Sequence, residues 1–384
     1  MARQQKNEIQ GNSLKKLCEN SVDLIRFARG LAVKQVNLVQ LLTYFSLGKW
    51  IIEEEQNGQN RAAYGKKVLI QLSASLTKEF GRGFSVDTLE RTKRFYDMYR
   101  ERISATVLRK FAEEKSATLL RKFDKDPFIL PWSHYLLLMR IKNDEERSFY
   151  ELEAAKENWS IRVLQRQYNS SLYERLALSR DKRGVLKLAS EGNVVETPQD
   201  IIKQPAVLEF LGMDEKQRYH ESDLETAIIN RMQQFLMEMG KGFLFESRQK
   251  RFTFDEDNYY LDLVLYNRLL KCYVLLDLKV DKLTHQDLGQ MQMYVNYYDR
   301  YEKTEDEAPT IGILLCREKN DALVEITLPK DANIYAQEYK LYLPDKKLLQ
   351  SKLKEWIQEA EEEIVLIEEE QKPKRRKNSR SNKK

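Results

Sequence analysis

Two apolar segments joined by a short turn constrain the fold of this chain more than any other feature. Residues 259–266 and 270–280 are rich in valine, leucine and tyrosine, and Asn267 and Arg268 lie in the turn between them. Apolar runs of this length that are bounded by turn residues indicate β-strands. Both segments are apolar enough to be central strands of a sheet.

The segments around these strands predict the order of a small domain. A helix is predicted over about 222–239, two strands or one bent strand over 243–248 and 250–254, a helix over 285–300 and a strand over 310–316. The predicted order is therefore α-β-β-β-α-β.

The front half of the chain has the pattern of helices instead. Helices are predicted over 34–55 and about 64–80, and a third begins at Ser85, a good N-cap residue, and ends near Tyr99. The second and third fit a helix-turn-helix that presents basic residues to nucleic acid, or an ordinary αα-hairpin with a charged outer face. The basic residues concerned are Arg91, Lys93 and Arg94.

A second basic region accompanies aromatic residues on helical segments. Arg162 and Arg166 lie near Trp159, Tyr168 and Tyr173. Basic side chains interleaved with aromatic rings suit a nucleic-acid backbone, although any amphipathic helix has the same pattern. We therefore predict these arginines as nucleic-acid contacts with an amphipathic helix as the alternative.

Composition shifts predict where domains begin and end. We predict a basic helical domain for nucleic-acid binding or interaction over 1–180, a linker over 181–204, and the strand-containing domain over 205–350. An acidic helix over 351–371 and a disordered basic tail over 372–384 are predicted to follow.

The charge distribution predicts a polyanionic partner. Residues 1–190 hold 35 Lys/Arg against 23 Asp/Glu, residues 191–371 hold 22 against 37, and residues 372–384 hold eight basic residues and no acidic one. A basic front half and tail favour nucleic acid as the partner. The tail alone is equally explained as a solvated end.

Cysteine content and hydropathy predict the compartment. The three cysteines (Cys18, Cys272 and Cys316) form no CxxC pair and no disulfide framework, which indicates the reducing cytoplasm. The sequence contains no run of 18 or more apolar residues, so we expect no membrane association.

Charged residues within the two central strands predict chemistry. With a period of two, Asp262 shares a face with Tyr260 and Val264, and Asp277 and Lys279 share a face about 7 Å apart. Burial of an unneeded ion costs several kcal/mol. Two carboxylates can hold Mg²⁺, which polarises a phosphate, with Lys279 beside it. The alternative is a structural ion pair that includes Lys279.

These residues in this order resemble a known superfamily. Asp262, the tripeptide Asp277-Leu278-Lys279 and a helix with Gln290-Met291-Gln292-Met293-Tyr294 resemble the PD-(D/E)XK nucleases, and most closely the bacterial YhcG-type nucleases. The front half is similar to the helical N-terminal domain of that family in residues 61–65, 79–85, 130–135 and 159–162. The resemblance covers roughly residues 34–350.

The resemblance implies a fold and a site. The implied fold is an α+β two-domain protein, with a helical N-terminal domain followed by an α/β restriction-endonuclease-like core. The implied metal ligands are Asp262, Asp277 and an acidic residue of the first helix, for which Glu225 is best placed. Lys279 is the implied catalytic lysine, and Gln290 an auxiliary residue. Mg²⁺ is the expected cofactor, with Mn²⁺ as a substitute.

Three residues have alternative interpretations. Glu225 also completes a capping box that begins at Ser222, in which it only closes the start of the helix. Tyr294 shares a helical face with Gln290, so it contacts nucleic acid or packs on the sheet. Gln249, which lies before a strand turn, is a further candidate for the site.

The sequence therefore predicts a metal-dependent nuclease that hydrolyses phosphodiester bonds in DNA. The alternative from another class is a nucleic-acid-binding or complex-forming protein with a vestigial nuclease fold. A nuclease directed at RNA ranks third, because the sequence contains no RRM, KH or zinc-knuckle signature. Homo-oligomerisation remains open.

Overall fold

The computed structural model describes residues 2–57, 62–103, 126–180, 182–214, 217–254, 256–329 and 331–355. The chain divides into two compact units, one of Met1–Arg147 with Glu153–Ile161 and one of Ser148–Leu152 with Arg162–Lys384. Over the described residues, no helix combines the length and the apolar character that crossing a bilayer requires.

The front of the chain is helical, as predicted. Its helices are α1 (Ala2–Asn57), α2 (Ala62–Phe80), α3 (Val86–Tyr99), α4 (Trp132–Leu138) and α5 (Asp144–Lys156). The predicted N-cap of α3 is confirmed, because Ser85 Oγ accepts a hydrogen bond from the backbone N–H of Thr88 at 3.2 Å. In contrast, α1 begins about 30 residues before the predicted start at residue 34.

An aromatic cluster forms the core of the first unit. The ring of Phe95 lies 4.8–5.9 Å, between ring centroids, from those of Phe45, Tyr99, Phe128 and Tyr135. Edge-to-face and tilted rings at these distances stabilise a core beyond the area that they bury. The cluster therefore ties α1, α3 and α4 together.

At Gly48 the backbone of α1 approaches α3 closely, which provides a test of this packing. A Cβ atom at Gly48 would overlap the backbone carbonyl of Thr92 and lie 2.9 Å from Cβ of Tyr96. We expect Gly48→Ala to lower the free energy of unfolding by about 1–3 kcal/mol, because backbone atoms cannot move aside as a flexible side chain can. Denaturant unfolding followed by circular dichroism measures this change.

Gly30 is the matched control for Gly48 on the same helix. A Cβ atom there would meet no atom within 4 Å. Because alanine favours a helix over glycine, Gly30→Ala should raise helix stability by about 0.5–1 kcal/mol. Equal effects of the two substitutions would contradict the close approach of α1 and α3.

The remaining chain combines helices with a sheet. The helices are α6 (Ile161–Asn169), α7 (Leu172–Ala177), α8 (Lys182–Glu191), α9 (Glu221–Asn230), α10 (Met232–Met239), α11 (His285–Tyr297) and α12 (Asp321–Thr327). Helix α8 lies within the predicted linker over 181–204. The domain bounds stay a prediction. Residues 346–355 are helical, so the start of the predicted acidic helix is described, whereas the rest of it and the basic tail lie outside the described residues from residue 356 onward.

The sheet has six strands in the order β1-β6-β5-β4-β3-β2. They are β1 (Ala206–Val207), β2 (Phe243–Phe254), β3 (Asp257–Asn267), β4 (Cys272–Lys282), β5 (Ile311–Glu318) and β6 (Ile334–Lys340). Strands β2, β3 and β4 are antiparallel neighbours, whereas β4, β5, β6 and β1 run parallel. The predicted α-β-β-β-α-β order and fold class are confirmed, with β1 and β6 added.

One predicted element differs in detail. The single helix predicted over 222–239 is two helices, because the backbone of Arg231 leaves the helical region at φ −124° and ψ 29°. The segment 243–254 is one strand, the second of the two predicted alternatives, and its pairing with β3 shifts between Phe245 and Ser247. This irregularity matters because it precedes Gln249.

Helices cover both faces of the sheet. One core joins α9 and α10 to one face through Leu224, Ile228 and Phe235, and the other joins α11 to the opposite face through Leu288, Met291 and Tyr294. Strands β4 and β5 are therefore buried on both sides, which explains why their sequences are almost continuously apolar.

Candidate active site at the fork of two strands

Strands β3 and β4 separate at the two aspartates that the sequence singles out. Their pairing extends from Asn267 opposite Cys272 to Leu263 opposite Leu276 and ends there. Beyond this point β3 pairs with β2, and β4 pairs with β5. Asp262 and Asp277 are the next residue on each strand, so both carboxyl groups lie at the fork.

The side chain of Asp262 links β3 to β4 at the fork. Its Oδ2 accepts a hydrogen bond from the backbone N–H of Leu278 at 2.8 Å. The predicted alternation fails at this point, because Leu261 packs in the same core as Val264. The simple period of two therefore does not extend through Asp262.

Lys279 lies among acidic side chains. Its Nζ is 3.0 Å from Asp277 Oδ2, 3.5 Å from Glu221 Oε1 and 3.9 Å from Asp287 Oδ1. Burial favours the neutral amine, but the nearby carboxylates, Asp277 first, raise the pKa of Lys279 above its ordinary value. The ammonium group is therefore charged at neutral pH.

Asp277 is buried, and its surroundings contain too little positive charge to balance the nearby carboxylates. Its side chain is 6% exposed. Burial and the neighbouring carboxylate of Asp262 raise the pKa of Asp277 to about 7, although Lys279 opposes the shift. Burial, opposed by Lys279 and reinforced by Asp262, also raises the pKa of Glu221. One ammonium group does not balance these carboxylates, so the pocket favours a cation.

Glu225 does not cap its helix, and the capping-box interpretation is wrong. Helix α9 begins at Glu221 with His220 as its N-cap, and the backbone N–H of His220 donates to Asp223 Oδ2 at 2.9 Å. Because the helix begins earlier than predicted, Glu225 lies in its second turn. Its Oε2 accepts from Gln249 Nε2 at 2.8 Å. Its Oε1 is buried without a hydrogen-bond partner among the described residues.

Gln249 joins Glu225 to the fork. Its Nε2 also donates to Asp262 Oδ1 at 2.9 Å, so one amide group bridges the two carboxylates. The backbone of Gln249 has φ +45°, in the left-handed region that non-glycine residues rarely adopt. Such strain persists where the surrounding structure requires it, often at functional sites.

Gln290 and Tyr294 of α11 are linked by hydrogen bonds to β3 near Asp262. Gln290 Nε2 donates to the hydroxyl of Tyr294 at 2.5 Å, and that hydroxyl donates to the carbonyl oxygen of Tyr260 at 2.9 Å. Tyr294 is fully buried, and burial together with the charge of Asp277 raises its pKa to about 12. Tyr294 therefore packs on the sheet, the alternative to a nucleic-acid contact.

Most of the basic residues predicted to bind nucleic acid already have partners. Arg91 pairs with Asp87 at 2.5 Å, Lys93 with Glu55 at 2.5 Å, and Arg94 donates to the carbonyl oxygen of Met139 at 2.6 Å. Arg166 pairs with Glu209 at 3.2 Å, whereas the side chain of Arg162 is exposed. Their role in nucleic-acid binding stays a prediction.

Sequence reasoning missed two acidic residues of this pocket. Glu221 and Asp287 contact Lys279 from the first turns of α9 and α11. Both lie in segments that look like ordinary helix starts, where acidic residues are common for electrostatic reasons. The spacing of Glu221 and Glu225, four residues apart on one helical face, is the signal that could have indicated Glu221.

The donor set suits a hard cation. Within the residues described, no group of three or more His, Cys, Asp or Glu side chains could hold a metal ion unaided. Mg²⁺ does not require three protein ligands, since it is commonly bound by one or two carboxylates with water and substrate phosphate as further ligands. The pair Asp262–Asp277 fits that requirement, and Glu225, whose Oε1 has no hydrogen-bond partner among the described residues, is joined to the pair by Gln249.

Comparisons with known proteins match both parts of the chain. Residues 199–354 match the family model described as the YhcG PDDEXK nuclease domain, and residues 20–175 match the DUF1016 N-terminal domain. The chain is 37% identical over 344 residues to "Putative nuclease YhcG" of Escherichia coli (strain K12), a match that covers 86% of this chain and 91% of that protein.

Two solved structures are also similar to part of the chain. A repair endonuclease from Pyrococcus abyssi is 19% identical, with a TM-score of 0.22, over 34% of this chain. The EndoMS–dsDNA2 complex is 17% identical, with a TM-score of 0.22, over 35% of this chain. In each case the chain spans about half the length of the solved chain, 50%.

Proposed function

Because the chain belongs to the YhcG family of PDDEXK nucleases, we propose that its strand fork hydrolyses phosphodiester bonds in DNA with the help of a divalent metal ion. The observation that carries this proposal is the convergence of Asp262, Asp277 and Lys279 where β3 and β4 separate. The fold does not need two carboxylates and an ammonium group there, and their burial costs several kcal/mol per ion.

Two aspartates would hold the metal ion. Asp262 and Asp277 supply carboxylate oxygens, and Glu225 offers its unpartnered Oε1. Mg²⁺ or Mn²⁺, when bound, polarises a phosphate oxygen and lowers the pKa of a coordinated water molecule. Gln249 keeps Asp262 and Glu225 oriented toward each other by donating to both.

Lys279 is the proposed catalytic residue that is not a ligand of the metal ion. Asp277, Glu221 and Asp287 keep its ammonium group charged and restrict its position. A fixed positive charge in a partly buried pocket stabilises negative charge that develops on the phosphate in the transition state. Gln290 and Tyr294 support β3, because the Tyr294 hydroxyl accepts a hydrogen bond from Gln290 and donates one to the carbonyl oxygen of Tyr260.

The charge of the front half supports a nucleic-acid substrate, and DNA is proposed ahead of RNA because the sequence contains no RRM, KH or zinc-knuckle signature. Residues 1–190 have an excess of 12 basic residues, 35 against 23 acidic ones. Neutralisation of phosphates by Lys and Arg supplies affinity that does not depend on sequence. The acidic second half would then supply the chemistry and the basic half the affinity.

A substrate panel tests this function. The full chain is incubated with labelled duplex, single-stranded and branched DNA and with RNA of matching sequence, with Mg²⁺, with Mn²⁺ or with a chelator. We expect DNA to be cut in either metal ion and to stay intact with the chelator. Cutting of RNA alone would favour an RNA-directed nuclease, and DNA binding without any cutting would favour a binding protein with a vestigial site.

Gln249 provides a test of how the carboxylates are positioned. We expect Gln249→Ala to slow cleavage by about 10- to 100-fold, the usual effect of removing a group that orients a metal ligand. Thr253→Ala is the control, because Thr253 lies on the same strand and its exposed side chain donates a hydrogen bond to exposed Asn258. Cleavage by Gln249→Ala at the rate of the control would show that the bridging amide has no positioning role.

A further inference from the structure

Strands β2 and β3 continue past the fork as a two-stranded arm, residues 250–254 and 257–261. Their pairing extends from Lys250 opposite Leu261 to Phe254 opposite Asp257. Over these described residues β3 no longer pairs with β4, and β2 is already the edge strand of the sheet. The arm therefore begins directly beside the two aspartates of the candidate site.

One face of the arm is fixed to the domain by α11. Phe252 stacks on Tyr297 at 4.2 Å between ring centroids and meets the ring of Tyr294 edge to face at 5.4 Å. The hydroxyl of Tyr294 also donates to the carbonyl oxygen of Tyr260 at 2.9 Å. These contacts hold the arm in a definite position relative to Asp262, which follows Tyr260 by two residues.

The opposite face of the arm presents an aromatic ring beside a guanidinium group. Tyr260 and Arg251 are direct partners across the two strands, and such partners point to the same face of an antiparallel pair. The next pair, Phe252 and Tyr259, lies on the packed face, so the side chains of Tyr260 and Arg251 point away from it. Tyr260 is 51% exposed, and Arg251 is exposed as well.

The charges along the arm favour a phosphate chain near the fork. Arg248 and Arg251 are exposed and lie on either side of Gln249 in the sequence. Glu256 and Asp257 are exposed at the turn of the arm. Phosphates are attracted to the arginines and repelled by the turn. A nucleic-acid strand that reaches the fork would therefore follow the base of the arm and avoid its tip.

On the basis of the nuclease function proposed above, we propose that the ring of Tyr260 stacks on an unpaired base of the DNA and that Arg251 binds a neighbouring phosphate. An aromatic ring can stack only on a base whose face is free, so it favours unpaired nucleotides over a continuous duplex. Tyr260 and Asp262 are about 7 Å apart along the strand, or roughly two steps of a DNA strand. The preferred substrate is therefore DNA with an unpaired nucleotide within one or two positions of the cut.

DNA affinity measured in the presence of a chelator tests this binding without cleavage. The full chain is titrated against a duplex with a short unpaired stretch at its centre and against the same duplex fully paired. We expect the wild type to bind the first DNA about 5- to 100-fold more tightly, the range that one base stacked on an aromatic ring provides. Tyr260→Ala should lose this preference, and Tyr260→Phe should keep it because the ring remains.

Arg251 and two matched controls complete the test. Arg251→Ala should weaken binding to both DNAs and reduce the slope of log affinity against log salt concentration by about one, the effect of losing one phosphate contact. Tyr301→Ala and Arg300→Ala are the controls, because both residues are exposed and follow α11 rather than belong to the arm. Neither control should change the preference or the salt slope. Circular dichroism should show all variants folded, since the substituted side chains are exposed.

Two results would overturn the proposal. Equal affinity of the wild type for the two DNAs would mean that the arm does not select unpaired nucleotides. A full preference retained by Tyr260→Ala would mean that its ring does not stack on the base. Neither result depends on cleavage, so a wild type that shows the preference but cuts no DNA with Mg²⁺ would contradict the proposed nuclease function and support the binding role of the arm.

Discussion

Lys279→Ala is expected to slow DNA cleavage by about 10²- to 10⁴-fold, the usual range for removing a group that stabilises charge or transfers a proton in a transition state. The ammonium group lies 3.0 Å from Asp277 and within 4 Å of two further carboxylates, at 3.5 and 3.9 Å. Three carboxylates fix the position of the Lys279 ammonium group, so another flexible side chain of the protein cannot take its place. DNA affinity should change far less, because one lysine is a small part of the total basic charge.

Lys282→Ala is the control for this prediction. Lys282 ends the same strand, and its side chain is exposed rather than held in the pocket. Both variants should melt as cooperatively as the wild type. Single-turnover cleavage rates then separate chemistry from binding, and equal rates for the two variants would exclude Lys279 from the catalytic step.

The second large effect concerns stability. We expect Glu238→Gln to lower the free energy of unfolding by about 3–5 kcal/mol, because it leaves a buried guanidinium group without its counter-ion. Arg175 Nη1 lies 2.5 Å from Glu238 Oε1, and their side chains are 0% and 1% exposed. Glu238 Oε1 also accepts from the backbone N–H of Val207 at 3.0 Å. This pair fastens α7 to α10 and to the edge of the sheet.

The same pair predicts a dependence of stability on pH. Burial alone would raise the pKa of Glu238, but Arg175, with Lys203 and Arg166, lowers it from 4.5 to about 2. A carboxyl group whose pKa is lower in the folded protein stabilises it above the unfolded pKa. About 3 kcal/mol of stability should therefore be present above pH 4.5 and be lost as the pH falls toward 2.

Glu338→Gln is the matched control for Glu238→Gln. Glu338 pairs with Lys340 at 3.4 Å, with side chains 29% and 28% exposed. Pairs that water reaches contribute about 0–1 kcal/mol, so this substitution should change stability little and leave the acid limb of the pH profile in place. Denaturant unfolding from neutral to acidic pH compares the two. Similar losses would contradict the account of Glu238.

The sequence predicted those parts of the site that local pattern determines. Asp262, Asp277 and Lys279 interrupt apolar strands, and the spacing of Asp277 and Lys279 alone places them on one face. Their convergence needed only the predicted pairing of two neighbouring strands. The order of helices and strands followed in the same way from periodicity and from turn residues.

The remaining features depend on contacts between distant segments. Gln249 bridges Glu225 and Asp262, which lie 24 and 13 residues away, from a left-handed backbone that no propensity indicates. The start of α9 was misplaced because Ser222 is also a good N-cap residue, and that error concealed Glu221. Arg175 and Glu238 are 63 residues apart, so only the folded chain shows that they pair.

The central claim is that Asp262 and Asp277 hold a divalent ion with which the chain cuts DNA. The most direct test is the single-turnover cleavage rate of labelled duplex DNA as Mg²⁺ is raised from zero, for the wild type beside Asp277→Asn, with DNA binding measured in the same samples. We predict no cleavage without Mg²⁺, a saturable rise for the wild type, and a loss of that rise in the variant with binding retained. Cleavage that needs no metal ion, or that proceeds in Asp277→Asn at the wild-type rate, would contradict the account.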